Sequence, residues 1–262
     1  WPKGGGITYF IGETMENFII KAFSMADIKD DFVLNFIKDN RWKYLTDGLK
    51  ITLEVTFFAV ILGIVLGSVI AIIRSTYDTN YESMKSKVGK AVLKILNLVA
   101  KIYLTVIRGT PVVVQLMIMY YVIFSTSNNK VPIAILSFGI NSGAYVAEII
   151  RSGIMAIDRG QFEAGRSLGF NYIQTMIYII LPQAFKNILP ALANEFIVLL
   201  KETSVAGYVA LQDLTKGGDI IRSRTYSAFM PLITVAVIYL VMVMFFTYLV
   251  GRLERRLRND ER

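Results

Sequence analysis

The chain contains no cysteine and no histidine. The first absence removes any disulfide framework and any thiolate nucleophile. The second removes the commonest metal ligand and the side chain that moves protons near neutral pH. No metal site and no catalytic residue is therefore expected, and no triad pattern offers another route to enzyme chemistry. Charge is scarce as well: Asp, Glu, Lys and Arg make up 18% of the 262 residues, where an ordinary soluble domain carries about 25%. There is neither a long internal repeat nor a low-complexity tract.

What the chain has in excess is apolar surface. Hydrophobic residues are 54% of the total and mean hydropathy is +0.51, a membrane-protein composition. A hydrocarbon core of about 30 Å takes about 20 apolar helical residues to cross. Charge-free runs approaching or exceeding that length occur at Val55–Ile73, Gly109–Asn129 and Thr225–Gly251. A shorter run, Val131–Ala147, continues through Glu148 to Ile150, and a fifth, Ile188–Leu200, is interrupted by Glu195. The expected fold class is all-α, a polytopic membrane helix bundle of about five transmembrane helices.

The net charge of +8 raises the question of nucleic acid, and its distribution answers it. Arg74, Lys85, Lys87, Lys90, Lys94, Lys101 and Arg108 lie between the first two runs; Arg151, Arg159, Arg166 and Lys186 lie between the two runs that contain Glu148 and Glu195; five arginines lie in the tail RLERRLRNDER. The alternate loops hold Lys130, Lys216, Arg222 and Arg224. Basic residues crowd the cytoplasmic side of membrane proteins, so the N-terminus is predicted outside and the C-terminus in the cytoplasm. The surplus reads as positive-inside bias with lipid contact, and no aromatic–basic alternation supports a nucleic-acid site. Residues 1–47 are predicted to be an extracytoplasmic extension with an amphipathic helix at Phe32–Leu45, residues 48–252 the transmembrane domain, and residues 253–262 a basic tail. No signal-peptide pattern is found.

Polar interruptions mark candidate function. Gly63 and Gly67, and again Gly139 and Gly143, are spaced four apart, which lets helices approach closely in lipid; membrane helices also simply tolerate glycine. Asn141, Tyr145 and Glu148 share one helical face. A carboxylate at bilayer depth costs about 2.5–3.5 kcal/mol and is expected to face a polar path or a partner. Glu148 has two readings, a group on a solute path or a partner of Arg151 one turn on. Glu195, with Ser204 beyond it, lines water or pairs with a neighbouring helix. Thr52 and Thr56 share a face, with Glu54 off it. Gln115, Met119 and Val122 form another face on a helix predicted to start near Pro111, next to Arg108, which reads as an interfacial anchor.

The stretch EAGRSLGFNYIQTMIYIILPQAF, Glu163–Phe185, is uncharged beyond Arg166 but broken by Gly169, Asn171, Gln174, Pro182 and Gln183. On its residues alone it is either a span or a helix over Gln161–Leu168, a turn at Gly169 and a second helix stopping or kinking at Pro182.

This stretch resembles the EAA loop of ATP-binding cassette importer permeases, whose pattern is Glu-Ala-Ala, three residues, Gly, nine residues, Ile, one residue, Leu-Pro. Glu163, Ala164, Gly165, Gly169, Ile179, Leu181 and Pro182 stand at those spacings, with Gly165 in place of the second alanine. RGTPVVVQL (Arg108–Leu116), SGAYVAEIIRSGIMAIDRGQFEAG (Ser142–Gly165) and LPALANEFIVLLKETSVAG (Leu189–Gly207) are similar to the polar amino acid branch. The likeness covers roughly residues 45–252.

The resemblance implies a permease that pairs with a second permease subunit, homo- or heterodimeric, in a bacterial-type inner membrane. It works with cytoplasmic ABC ATPases and an extracytoplasmic solute-binding protein, and passes a polar amino acid by alternating access. Asp158, Gln161, Glu163, Ala164, Gly165, Gly169, Leu181 and Pro182 would form the ATPase-coupling loop, about residues 158–182, with Glu163 capping the helix or meeting basic groups. Gln115, Asn141, Ser142, Tyr145, Glu148, Glu195 and Ser204 would line the substrate path, the two carboxylates for an ammonium and the amides and hydroxyls for a carboxylate. No GxxxxGK[ST] loop occurs, so no cofactor is expected on this chain, and ATP and Mg belong to the partner ATPase. The alternative is a stand-alone channel or secondary transporter.

Overall fold

The computed structural model describes residues 25–259. Helix α1 (Met25–Phe32) runs through a π turn, Val33–Ile37, into a 3-10 turn, Lys38–Asn40. Asp39 and Asn40 have φ of 57° and 52° there, the left-handed region that short polar side chains tolerate. The Arg41 guanidinium fastens the break, donating to Leu34 O at 2.7 Å and to Asp39 Oδ2 at 2.8 Å. The amphipathic helix predicted over Phe32–Leu45 is thus interrupted. The rest of the predicted extension, residues 1–24, lies outside the described residues.

Helix α2 (Trp42–Asn80) follows at once, so the predicted boundary at residue 47 falls inside a helix of 39 residues, about 58 Å long. Then come α3 (Lys87–Gly109), α4 (Val112–Ile118) with a π turn at Met119–Ile123, and α5 (Lys130–Met155). The chain continues with α6 (Arg159–Ser167), α7 (Tyr172–Thr175), a π turn at Met176–Ile180, and α8 (Leu181–Glu202) with a 3-10 extension, Thr203–Val209. Last are α9 (Leu214–Thr225) and α10 (Phe229–Asn259). Helix α10 carries through the predicted start of the tail at residue 253.

Among the described residues, four helical segments are long and apolar enough to cross a membrane: α2, α5, the run from Tyr172 to Val209, and α10. The predicted run Gly109–Asn129 is not among them. Pro111 is the N-cap of α4, which agrees with the expected helix start, but the helical part ends at Ile123, about 18 Å long and too short to span alone. It is joined to α3 at a bend of 108°. Most of the basic segment between the first two runs is therefore helix α3.

The bundle is organised by the crossing of α2 and α5. A Cβ on Gly67 would lie 2.6 Å from Val146 Cγ1, one on Gly63 3.0 Å from Ser142 Oγ, and one on Gly139 2.6 Å from Leu62 Cδ2. The two glycine pairs thus face one another, and small residues set the approach of helices that lipid gives no hydrophobic reason to associate. Val55, Ala59, Leu116, Phe138 and Leu199 make one core beyond this crossing; Ile154, Ile180, Ala184 and Ile188 make a second at the end that carries α6. At the α9 end, Thr52 and Thr56 are buried, and Thr52 Oγ1 accepts from the Leu214 amide at 3.1 Å, while Glu54 is exposed as expected.

Candidate functional site: a projecting helix unit and a polar cavity

Helix α6 is closed at both ends by local chemistry. Asp158 is its N-cap and accepts from the Gly160 amide at 2.7 Å. At the other end the Phe170 amide donates to Gly165 O at 3.0 Å and the Gly169 amide to Arg166 O at 2.9 Å. This pair of bonds is a Schellman motif, and it places Gly169 in the left-handed region at φ 81°. Asn171 and Gln174 then form a capping box, with both bonds at 2.9 Å, that starts α7. So the helix–turn–helix reading of this stretch holds, with α6 at Arg159–Ser167.

Two details differ from expectation. Glu163 does not cap α6: it lies beyond the first turn and is exposed, and Asp158 does the capping. Pro182 does not end the second helix. It occupies the first turn of α8, where a proline's missing N–H is best tolerated. The π turn just before it lets the chain pass from α7 into α8 without a stop.

Gly165 is buried against Thr175 and Ile179, so α6 packs directly on the start of the next helix. Gln161 joins it to α8, accepting from Gln183 Nε2 at 3.2 Å, and Thr79 with Tyr172, 2.8 Å apart, ties α7 to the end of α2. Asp158, Gln161, Glu163, Ala164, Leu181 and Pro182 are all exposed. A cleft of about 310 Å³ between α6 and α2 is lined by Asp78, Thr79, Arg159, Phe162, Glu163 and Arg166.

The path candidates divide into two groups. Tyr145, Glu148 and Glu195 line a cavity of about 430 Å³ together with Arg108, Ser152 and Asn187. Glu195 is buried and accepts from Ser142 Oγ at 2.9 Å. Glu148 is held by Arg151 Nη2 at 3.2 Å and by Arg108 Nη1 at 3.6 Å, and Arg151 also reaches Asp78 at 2.9 Å. Glu148 thus pairs with Arg151, as one reading expected, and it also borders the cavity. The Arg108 guanidinium lies 5.7 Å from the centre of the Tyr145 ring.

Gln115 and Asn141 belong elsewhere. Asn141 Nδ2 donates to Gln115 Oε1 at 3.0 Å, and Gln115 Nε2 donates to Ile107 O at 2.8 Å, which clamps α4 against the end of α3 and against α5. Gln115 borders a separate pocket of about 240 Å³, and Ser204 sits in the 3-10 extension of α8, bordering neither. Asn141 therefore does not share the cavity with Tyr145 and Glu148, despite lying on one helical face with them.

Sequence reasoning missed Ser152 and Asn187 in this cavity, and it also missed Arg108. Beside a proline-started helix it reads as an anchor; only the bend between α3 and α4 turns it toward Glu148.

Comparison with known proteins decides what kind of chain carries these features. Residues 88–259 match the family described as binding-protein-dependent transport system inner membrane component. The chain belongs to that family. The permease is 37% identical over 217 residues to the putative glutamine transport system permease protein of Rickettsia typhi, covering 82% of the permease and 93% of that relative. To the L-cystine transport system permease protein of Bacillus subtilis it is 32% identical over 226 residues, covering 85% and 90% of the two chains. A solved amino acid ABC transporter structure with histidines shares 43% identity with the permease at a TM-score of 0.73, covering 84% of it and 98% of that chain. The α6–α7 unit, α5, the cavity and α10 all fall within the matched residues 88–259.

Proposed function

We propose that the chain is the membrane permease subunit of an ATP-driven importer for a polar amino acid, built as follows. The α6 end faces the cytoplasm, because it gathers most of the basic residues, including Arg74, Lys85, Arg159, Arg166 and Lys186. At the α9 end Lys216 and Arg222 are already neutralised by Asp219, at 2.8 Å and 2.6 Å. Separate ABC ATPases grip α6 from the cytoplasm, a solute-binding protein delivers cargo at the α9 end, and a second permease subunit completes the pathway.

The observation that carries this reading is the α6–α7 unit. It is a short helix capped at both ends, exposed on Gln161, Glu163 and Ala164, and continued through a π turn into α8, a helix of 22 residues. A pull on α6 is transmitted to Ile154, Ala184 and Ile188, which pack together beneath it, and so to the helices around the cavity. ATP shifts the population between inward- and outward-facing states only as far as the ATPases bind one of them better.

In the cavity, Arg108 is placed to accept a solute carboxylate, and Glu195 to meet its ammonium, with Ser142 holding the Glu195 carboxylate. The Arg108–Glu148 contact of 3.6 Å is loose enough to be exchanged for a solute. Tyr145 covers one side as an amphipathic wall. Which amino acid is carried depends on groups such as Ser152 and Asn187 that remain for the side chain.

Uptake in reconstituted vesicles tests the proposal. The account expects amino acid accumulation only with the ATPase subunits and ATP present. Transport by the permease alone would replace it with a channel or secondary transporter.

A further inference from the structure

Helix α3 has three distinct sides. Leu93, Asn97, Ala100 and Leu104 are buried against the bundle. Val92, Ile95, Val99, Ile102 and Val106 are each at least half exposed. Lys87, Lys90, Lys94 and Lys101 fall in a sector about 60° wide at 100° per residue. No Asp or Glu occurs between Glu82 and Glu148, and among the described residues none of these four lysines joins an ion pair with a carboxylate.

The depth of α3 follows from its neighbours. Leu62 packs on Gly139 near the middle of the two crossing apolar runs. Along α2, Ile70 and Arg74 lie about 12 Å and about 18 Å further on, on either side of the edge of a hydrocarbon core whose half-thickness is about 15 Å. Helix α3 meets α2 there: Ile70 packs on the cluster of Leu104, Ala144 and Ala147, and Arg74 Nη1 donates to Asn97 Oδ1 at 2.9 Å.

Its rotation is fixed as well. The Tyr103 hydroxyl donates to Ile140 O at 2.6 Å, reaching toward the bilayer centre. The lysine sector is turned away from Tyr103 by about 140–180° around the helix, toward the headgroups. The bend of 108° into α4 agrees with a helix lying along the membrane rather than through it.

We propose that α3 is an in-plane helix whose lysines bind anionic phospholipid headgroups of the leaflet at the α6 end while its exposed apolar side enters the acyl chains. Arg108, in the last turn of α3, is carried on the same rod and lines the cavity. The proposal rests on the membrane-embedded permease reading, and not on the cargo or on ATPase coupling.

The chain has no cysteine, so a fluorophore placed through Val99→Cys reports on α3 alone. The full-length permease is reconstituted in mixed phosphatidylcholine–phosphatidylglycerol vesicles with bromine on one lipid or the other, and quenching is compared. The expected result is strong quenching by both lipids with a preference for brominated phosphatidylglycerol. That preference falls with added salt and drops about fivefold or more in K94Q/K101Q, since a lysine near an anionic surface is worth roughly a fivefold partition factor. Equal quenching by the two lipids would overturn the headgroup claim. Weak quenching by both would mean that another subunit, a second copy or water covers α3, and would overturn the placement. If the double variant fails to insert, the wild-type salt titration decides: a preference indifferent to salt refutes the proposal. Failed ATP-driven uptake would leave these readouts intact and would count against the transport reading instead.

Discussion

Gly165 stands where the EAA pattern has its second alanine, and the packing of α6 on α7 gives a physical reason that can be tested by restoring that alanine. A Cβ at Gly165 would lie 2.6 Å from Thr175 Cγ2, 2.7 Å from Thr175 Oγ1 and 3.2 Å from Ile179 Cδ1. Turning Thr175 about χ1 gives little relief, because a β-branched residue carries two heavy atoms on Cβ and has few helical rotamers. In Gly165→Ala, removing a helical glycine contributes up to about 1 kcal/mol of stability, whereas overpacking costs about 1–3 kcal/mol. With the full glycine gain set against it, the clash still wins by up to about 2 kcal/mol.

Thr175 should be dispensable: among the described residues its buried Oγ1 has no hydrogen-bond partner, so Thr175→Ala is expected to be close to neutral. The double variant G165A/T175A keeps the alanine's helix propensity, loses both close contacts, and should match or exceed the wild type, a coupling of about 1–3 kcal/mol. The assay is titration of the purified ATPase subunit against the permease in nanodiscs. Gly165→Ala should bind measurably more weakly, by up to about 30-fold, and the double variant at wild-type strength. Additive single effects, or an unaffected Gly165→Ala, would refute the packing argument.

Two further predictions concern the cavity and the α9 end. Arg108→Gln removes the cation facing Glu148 but leaves Glu148 its Arg151 partner. The permease should insert and bind ATPase, with KM for amino acid uptake raised about tenfold or more, as expected for a lost charged hydrogen bond; an unchanged KM would return Arg108 to an anchoring role. Asp213, the buried N-cap of α9, has its carboxyl pushed up to about 6 by burial, against the pull of the Lys216 and Thr215 amides. Since its folded value lies above its unfolded one, its favourable contribution is complete at low pH and is lost as pH rises through about 6. Thermal stability, with the Lys216 and Tyr239 neighbours unchanged, should therefore rise on the order of 2 kcal/mol as pH falls from 7 to 4 relative to Asp213→Asn; parallel pH profiles for the two proteins would show that folding does not shift this carboxyl and would refute the prediction.

The sequence carried the long spans plainly, because α2 and α10 are unbroken apolar runs. The glycine pairs were equally visible, but that they face one another is a fact of the α2–α5 crossing, which no single helix contains. Helix α3 was hidden for a physical reason: lysines every three to seven residues lower its hydropathy below that of a span, although their spacing keeps them on one side of a helix. Pro182 misled because a proline reads as a stop, and the π turn that accommodates it leaves no residue signature. Arg108 was out of reach for the same kind of reason, since its role depends on a 108° bend. In the α6 loop the residues alone left a span and a helix–turn–helix both open, and only the resemblance chose between them; the turn at Gly169 was legible, but the cap was expected at Glu163 where Asp158 supplies it.

The coupling role proposed for α6 is tested most directly by Glu163→Cys, the single thiol in an otherwise cysteine-free chain. Labelling with a membrane-impermeant maleimide is followed in right-side-out and inverted vesicles, with and without the ATPase bound. The account predicts labelling only in inverted vesicles, and protection there when the ATPase is added. Labelling from the outer face, or a thiol reached only by lipid-soluble reagents, would contradict it.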